Sequence, residues 1–208
     1  ADEFATRSDR PTDQEGITLG PLKVKQEDKC YQYSSVSVDL NHELGIAEIT
    51  ILGPTDDVLN DVNQLLLEGD RFWPLRVARE LDDAILQLRF NELQIGVIVF
   101  KSIGSPLEVA KYCNCLQENK DHWFVREVIL YWTRVLKRID LTSRSLISLI
   151  TPDSCFSGFL AEIILASDRS FMCEDVFEEF GDLEASIILT SSNFGRHPMC
   201  NNLSRLAT

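Results

Sequence analysis

The chain has 208 residues, 44% of them apolar, which is enough for one sizeable core, and no uninterrupted apolar run long enough to span a bilayer. A formal net charge of -13 argues against a nucleic-acid partner, which clustered Lys and Arg would have to hold; no secretory signal is visible. Six cysteines (Cys30, Cys113, Cys115, Cys155, Cys173, Cys200) lack the paired spacing of a zinc site, so reduced thiols in a cytosolic protein are expected.

Residues Ala1 to Gly16 are polar and aperiodic and read as a linker, with Ile17 to Leu22 closing that connection. Val36 to Leu40 and Ile46 to Ile51 alternate as two strands of a hairpin across Asn41 to Gly45. Asp56-Asp57 can start a helix ending near Gly69, and Pro74 to Leu88 carries a helical apolar stripe at Val77, Ala78, Leu81, Ala84, Ile85 and Leu88. Ile95 to Phe100 is a continuous apolar strand, followed by helices over Pro106 to Leu116 and His122 to Ile139. Strand, helix and strand in succession imply parallel crossovers and an α/β class.

The densest stretch runs from Ser143 to Met172. Ser145 to Ile150 suits a strand buried on both faces, Thr151-Pro152-Asp153-Ser154 is turn chemistry, and Phe156 to Ser167 reads as an apolar helix. The first N–H groups of a helix lack internal partners and carry the positive end of its dipole, so such a turn can stabilise an oxyanion. Gly158 would let the backbone come close. Arg169 to Met172 and Ser186 to Leu189 are further strand candidates, separated by an acidic segment around Glu174 to Asp182.

The strings S-R-S-L, S-C-F-S-G, A-E-I and A-S-D-R-S-F-M resemble the crotonase (enoyl-CoA hydratase) superfamily, and within it the benzoyl-CoA-dihydrodiol lyase branch. Phe72 to Leu75, Ala78 to Ile85, Asn91 to Leu93, Asp121 to Glu127, Asn193 to Gly195 and Ser204 to Leu206 agree in the same order. The match runs from about Cys30 onward, giving a polar tail or linker over 1–29 and a domain over 30–208. The resemblance implies a crotonase-like (ClpP/crotonase) spiral of β-β-α units. It also implies the second of two such units in a longer parent, truncated before its C-terminal helices. The chain begins at Ala1 without an initiator Met and stops at Thr208, where Asn201 to Ala207 look like the start of a helix. Apolar surface is therefore expected near the C-terminus, together with self-association or a homo-oligomer and contact with the first crotonase-like half.

By that resemblance the ligand is an acyl-CoA thioester, no metal or redox cofactor is required, and the parent cleaves a dearomatised ring with loss of formate. One oxyanion-hole N–H is implied at Phe159 and the other at Val109 or Ala110. Phe159 and Leu160 stand where small residues would admit a thioester, so a closed or filled pocket is expected. Glu162 sits where crotonases place one of two acid/base glutamates, although a carboxylate in a first helical turn also stabilises the helix dipole. Ser191 stands where the other belongs and cannot act as a carboxylate base, which disfavours a plain hydratase or isomerase. Cys155 at the turn entry is a nucleophile candidate whose bland alternative is a buried inert thiol, and His197 is a candidate pocket residue. Arg144 and Arg169 are expected to pair with carboxylates, and Trp73, Trp123 and Trp132 to lie in the core.

Overall fold

A computed structural model describes residues 2–8, 16–59, 61–174 and 184–208. Its centre is a seven-stranded sheet in sequential order: β1 (Lys25–Glu27), β2 (Cys30–Gln32), β3 (Val36–Asn41), β4 (Ile46–Leu52), β5 (Val97–Ile103), β6 (Ser145–Ile150) and β7 (Arg169–Met172). Tight turns make β1 to β4 antiparallel, whereas helical crossovers make β4 to β7 parallel. The α/β class, the hairpin and the parallel pairing of the Ile95 and Ser145 strands are as the sequence leads one to expect.

Register aligns one apolar face: Val38 opposes Ile49, Ile49 opposes Phe100, and Phe100 opposes Ser148. All four are buried, while Ser145, Ile147 and Leu149 on the opposite face of β6 are not. The expectation that β6 is buried on both faces is thus corrected. Its run is apolar in composition, but the helices cover one side.

That cover is α3 (Trp73–Asn91), α4 (Pro106–Glu118) and α5 (Trp123–Asp140). The predicted α3 stripe is buried throughout, and the Trp132 indole N–H of α5 donates to the Pro74 carbonyl of α3 at 2.9 Å. Ser105 caps α4 by accepting from the Glu108 N–H, and His122 caps α5 through Nδ1, accepting from the Phe124 N–H. Trp73 and Trp132 are core residues and Trp123 packs against the core while half-buried. Helix α2 (Val62–Glu68) starts later than Asp56-Asp57 suggests, because Asp61 is the residue whose carboxylate caps it.

β1 and β2 carry no sequence signal of their own. Side chains from α3 and the residue that follows it hold β2 and the turn after it: Glu80 accepts from the Ser34 hydroxyl and the Ser35 N–H, Asp83 from the Tyr33 hydroxyl, and Glu92 from the Tyr31 hydroxyl. In the N-terminal stretch α1 (Asp2–Thr6) is wholly exposed. Ile17 packs on the core, and Gly20 donates its N–H to Asp70 and accepts from Arg79.

Two further expectations change. Phe156 to Ser167 is not one helix: a 3₁₀ turn over Gly158–Leu160 precedes α6 (Ala161–Ala166). Ser186 to Leu189 adds no strand to the sheet but makes a single parallel bridge, Ile188 to Ser157. That bridge pulls the chain away from helical geometry before Gly158 and so delays α6. Apart from Glu174, the acidic segment lies outside the described residues. Near the C-terminus Phe194, Leu203 and Leu206 are exposed, the apolar surface expected there, and the final residues form a 3₁₀ turn over Arg205–Ala207. No helix among the described residues is long and apolar enough to cross a membrane.

Candidate functional site

The ends of β4, β5 and β6 meet around Gly53, Gly104 and Cys155. A Cβ on Gly104 would lie 3.1 Å from the Gly53 Cα, so two strand exits cross there with no room for a side chain. Gly104 donates its N–H to the Asp153 carbonyl at 2.8 Å and Cys155 donates its own to Ser102 Oγ at 3.0 Å, which fixes the turn after β6 against β5. Beyond it, Gly158 has φ +49° and donates its N–H to the Ile188 carbonyl at 3.0 Å.

The implied oxyanion position is internally occupied. A Cβ at Gly158 would lie 2.1 Å from Cys113 Sγ, which puts the α4 sulfur directly against the glycine. The Phe159 N–H and the Thr190 hydroxyl both face this sulfur and favour its thiolate, but burial dominates and pushes the thiol up to about 12. Phe159 is itself buried, its ring 4.4 Å from Trp132 and 5.8 Å from Trp73 between centroids. Val109 and Ala110 lie inside α4 rather than in the preceding loop. The Val109 N–H donates to the Ser105 carbonyl at 3.3 Å and is not free for a ligand. Phe159 and Cys113 are therefore brought together, whereas Val109 and Ala110 present no free donor pair with Phe159.

Glu162 is 2% exposed and held on both oxygens, Oε1 accepting from Asn193 Nδ2 at 2.7 Å and Oε2 from the Arg205 guanidinium at 2.9 Å. Arg205 in turn makes a bidentate pair with Asp140 at 2.9 and 2.7 Å and donates to the His197 carbonyl at 2.9 Å. Asn193 also donates to the Gly158 carbonyl at 2.8 Å. Glu162 is thus an ion-pair partner joining α6 to α5 and to the C-terminal turn, and the helix dipole is not its main counter-charge. Sequence reasoning did not single out Arg205, Asn193, Asp140, Cys113 or Thr190. For Asn193 and Arg205 the signal was present in the strings N-F-G and S-R-L.

Ser191 is exposed and begins the short 3₁₀ turn that ends in Asn193, the partner of Glu162, but no bond joins Ser191 itself to Glu162. Cys155 is fully buried, and burial pushes its thiol up to about 11 despite the Ser102 hydroxyl. That is the environment of a buried thiol and does not favour a thiolate. His197 is buried with Nδ1 3.0 Å from the Thr133 hydroxyl; burial, then the charges of Arg205 and Arg196, lower it to about 3. A histidine that is neutral when folded and titrates near its ordinary value when unfolded makes the unfolded state bind more protons at low pH. Stability should then be full above about pH 6.5 and fall by up to about 1.4 kcal/mol per pH unit as pH drops toward 3. Urea unfolding at pH 7 and pH 5 measures this slope, and His197→Asn should flatten it. No group of His, Cys, Asp and Glu able to hold a metal occurs among the described residues.

Solved enoyl-CoA hydratases are among the structures to which this chain is similar. One from Shewanella pealeana aligns at TM-score 0.44 and 14% identity over 65% of this chain and 45% of its own. A putative one from Streptomyces coelicolor A3(2) aligns at 0.42 and 12% over 77% and 50%. The sequence relationship is narrower and stronger: the chain is 38% identical over 206 residues to benzoyl-CoA-dihydrodiol lyase of Aromatoleum evansii. That alignment takes in 99% of this chain and 36% of the relative, so the chain spans about a third of the curated protein it matches. The resemblance to this lyase branch read from the sequence is borne out. No family model matches the chain.

Proposed function

We propose that this chain is part of a benzoyl-CoA-dihydrodiol lyase that cleaves the ring of a 2,3-dihydrodiol of benzoyl-CoA with release of formate. The supporting observation is the 38% identity carried over 206 residues. Within that protein the unit acts as a scaffold beside the catalytic half and in a homo-oligomer, in the cytoplasm. This reading is favoured by the Cys113 sulfur against Gly158 and by the engagement of both Glu162 oxygens. A buried carboxylate with one oxygen on Arg205 and the other on Asn193 is held toward the protein rather than toward a ligand, and proton transfer by a positioned group is worth about 10²–10⁴ in rate.

The protein containing this stretch should release formate from the dihydrodiol of benzoyl-CoA, whereas the 208-residue chain alone should turn over neither that compound nor crotonyl-CoA. Turnover by the chain alone that Glu162→Gln abolishes would show that it carries its own active site. Failure of the whole protein to release formate would remove the lyase assignment.

A further inference from the structure

The opposite end of the parallel strands holds a cavity of about 370 Å³ between the C-terminal ends of α3 and α5, just before β5 and β6 begin. It is lined by Arg89, Arg144, Thr142, Ser143 and the backbone at Gly96, and no carboxylate is in its wall. In a chain of net charge -13 that is an unusual local composition.

Both guanidiniums are half-buried and rigidly held, but by neutral groups. Arg144 donates to the carbonyls of Ile95 at 2.6 Å, Leu88 at 2.6 Å and Glu92 at 2.8 Å. Arg89 donates to the Arg138 carbonyl and to Thr142 Oγ1, both at 3.2 Å. Among the described residues neither forms an ion pair, in contrast to Arg79, Arg138 and Arg205. The nearest acid, Glu92, has its carboxylate engaged by Tyr31 and His42. A guanidinium has five N–H donors, so two remain on Arg144 and three on Arg89. No Arg89 or Arg144 nitrogen is among the buried polar atoms left without a partner, so these donors reach the cavity or solvent. Desolvation and then the proximity of Arg89 lower Arg144, while the Glu92 carboxylate acts in the opposite sense.

Capping helix carbonyls explains one guanidinium at each helix end. It does not explain the convergence of both on one carboxylate-free cavity with a hydroxyl from Ser143 at its rim. We propose that this cavity binds a phosphate-type dianion, free or as a phosphate monoester, through the remaining N–H donors of Arg89 and Arg144. β6 separates it from the Gly158 turn by roughly 17–20 Å, so it is a site distinct from the one implied for a thioester.

Isothermal titration of the chain with inorganic phosphate, and separately with adenosine 5'-monophosphate, against sodium chloride at matched ionic strength tests this. Saturable binding is expected, and Arg89→Gln should weaken it about tenfold or more through loss of a charge-assisted donor pair. Ser143→Asp, at an exposed residue that breaks no recorded bond, should abolish it by supplying a competing carboxylate and serves if Arg89→Gln does not fold. Tighter binding of the nucleotide assigns the ligand as a monoester; equal binding assigns the phosphate group alone. Heat no different from chloride, meaning an adventitious ion only, or binding unchanged in Ser143→Asp, would overturn the proposal.

Discussion

Arg205→Ala is expected to lower the stability of this chain by about 3–5 kcal/mol, the usual penalty for removing one partner of a buried ion pair. The Arg205 and Glu162 side chains are 1% and 2% exposed, so water cannot replace the lost guanidinium. Asp140, with 14% side-chain exposure, loses the same partner, while Glu162 keeps only Asn193. Since whole domains are stable by only about 5–15 kcal/mol, a shift of this size should be plain in urea unfolding. Replacing Arg205 and Glu162 together by Met and Leu should recover much of the loss, because well-packed apolar groups often match a buried pair. A change below about 1 kcal/mol in Arg205→Ala would mean that the pair is open to solvent, at the level typical of surface bridges.

Gly158→Ala should be the most damaging small substitution, costing roughly 3 kcal/mol or more from left-handed backbone strain and overpacking together. The glycine has φ +49°, and the new methyl would fall 2.1 Å from Cys113 Sγ. These two contributions are separable. In a Cys113→Ala background the 2.1 Å sulfur contact is gone, leaving the backbone share of about 1–2 kcal/mol and the tighter-than-usual contacts of 3.0 Å to Thr190 Oγ1 and 3.1 Å to the Cβ of residue 113. A double-mutant cycle with no coupling would show that Cys113 does not occupy this position. A double mutant much less destabilised than the sum of the two single variants locates the sulfur against the turn and supports the closed reading of the site.

Local signals account for most of the elements. The 3.6-residue stripe of α3 and the alternation in Val36 to Ile51 each bury surface in only one way, so periodicity predicts them, whereas the apolar run at Ser145 to Ile150 marks a strand without telling which face the helices cover. β1 and β2 escaped because Lys25 to Glu27 and Cys30 to Gln32 have no such pattern; β2 and the turn after it are held by hydroxyl and amide bonds to Glu80, Asp83 and Glu92, roughly fifty residues distant, and β1 pairs onto β2. The error at Phe156 to Ser167 has the same origin. Its composition suits a helix throughout, but a backbone bridge to Ile188 competes for the first residues.

Sequence by itself determined the α/β class, the likeness to a CoA-thioester lyase and the list of residues worth testing, since these rest on short-range pattern and ordered strings. Only the tertiary structure decided what those residues do. Whether a glutamate is a base or an ion-pair partner depends on which distant side chain meets it. Arg205 reaches Glu162 across 43 positions, and Cys113 reaches the Gly158 turn from another helix. Burial makes such contacts decisive: in a low-dielectric interior a carboxylate needs its partner, and a turn filled by a sulfur leaves no space for a ligand oxygen.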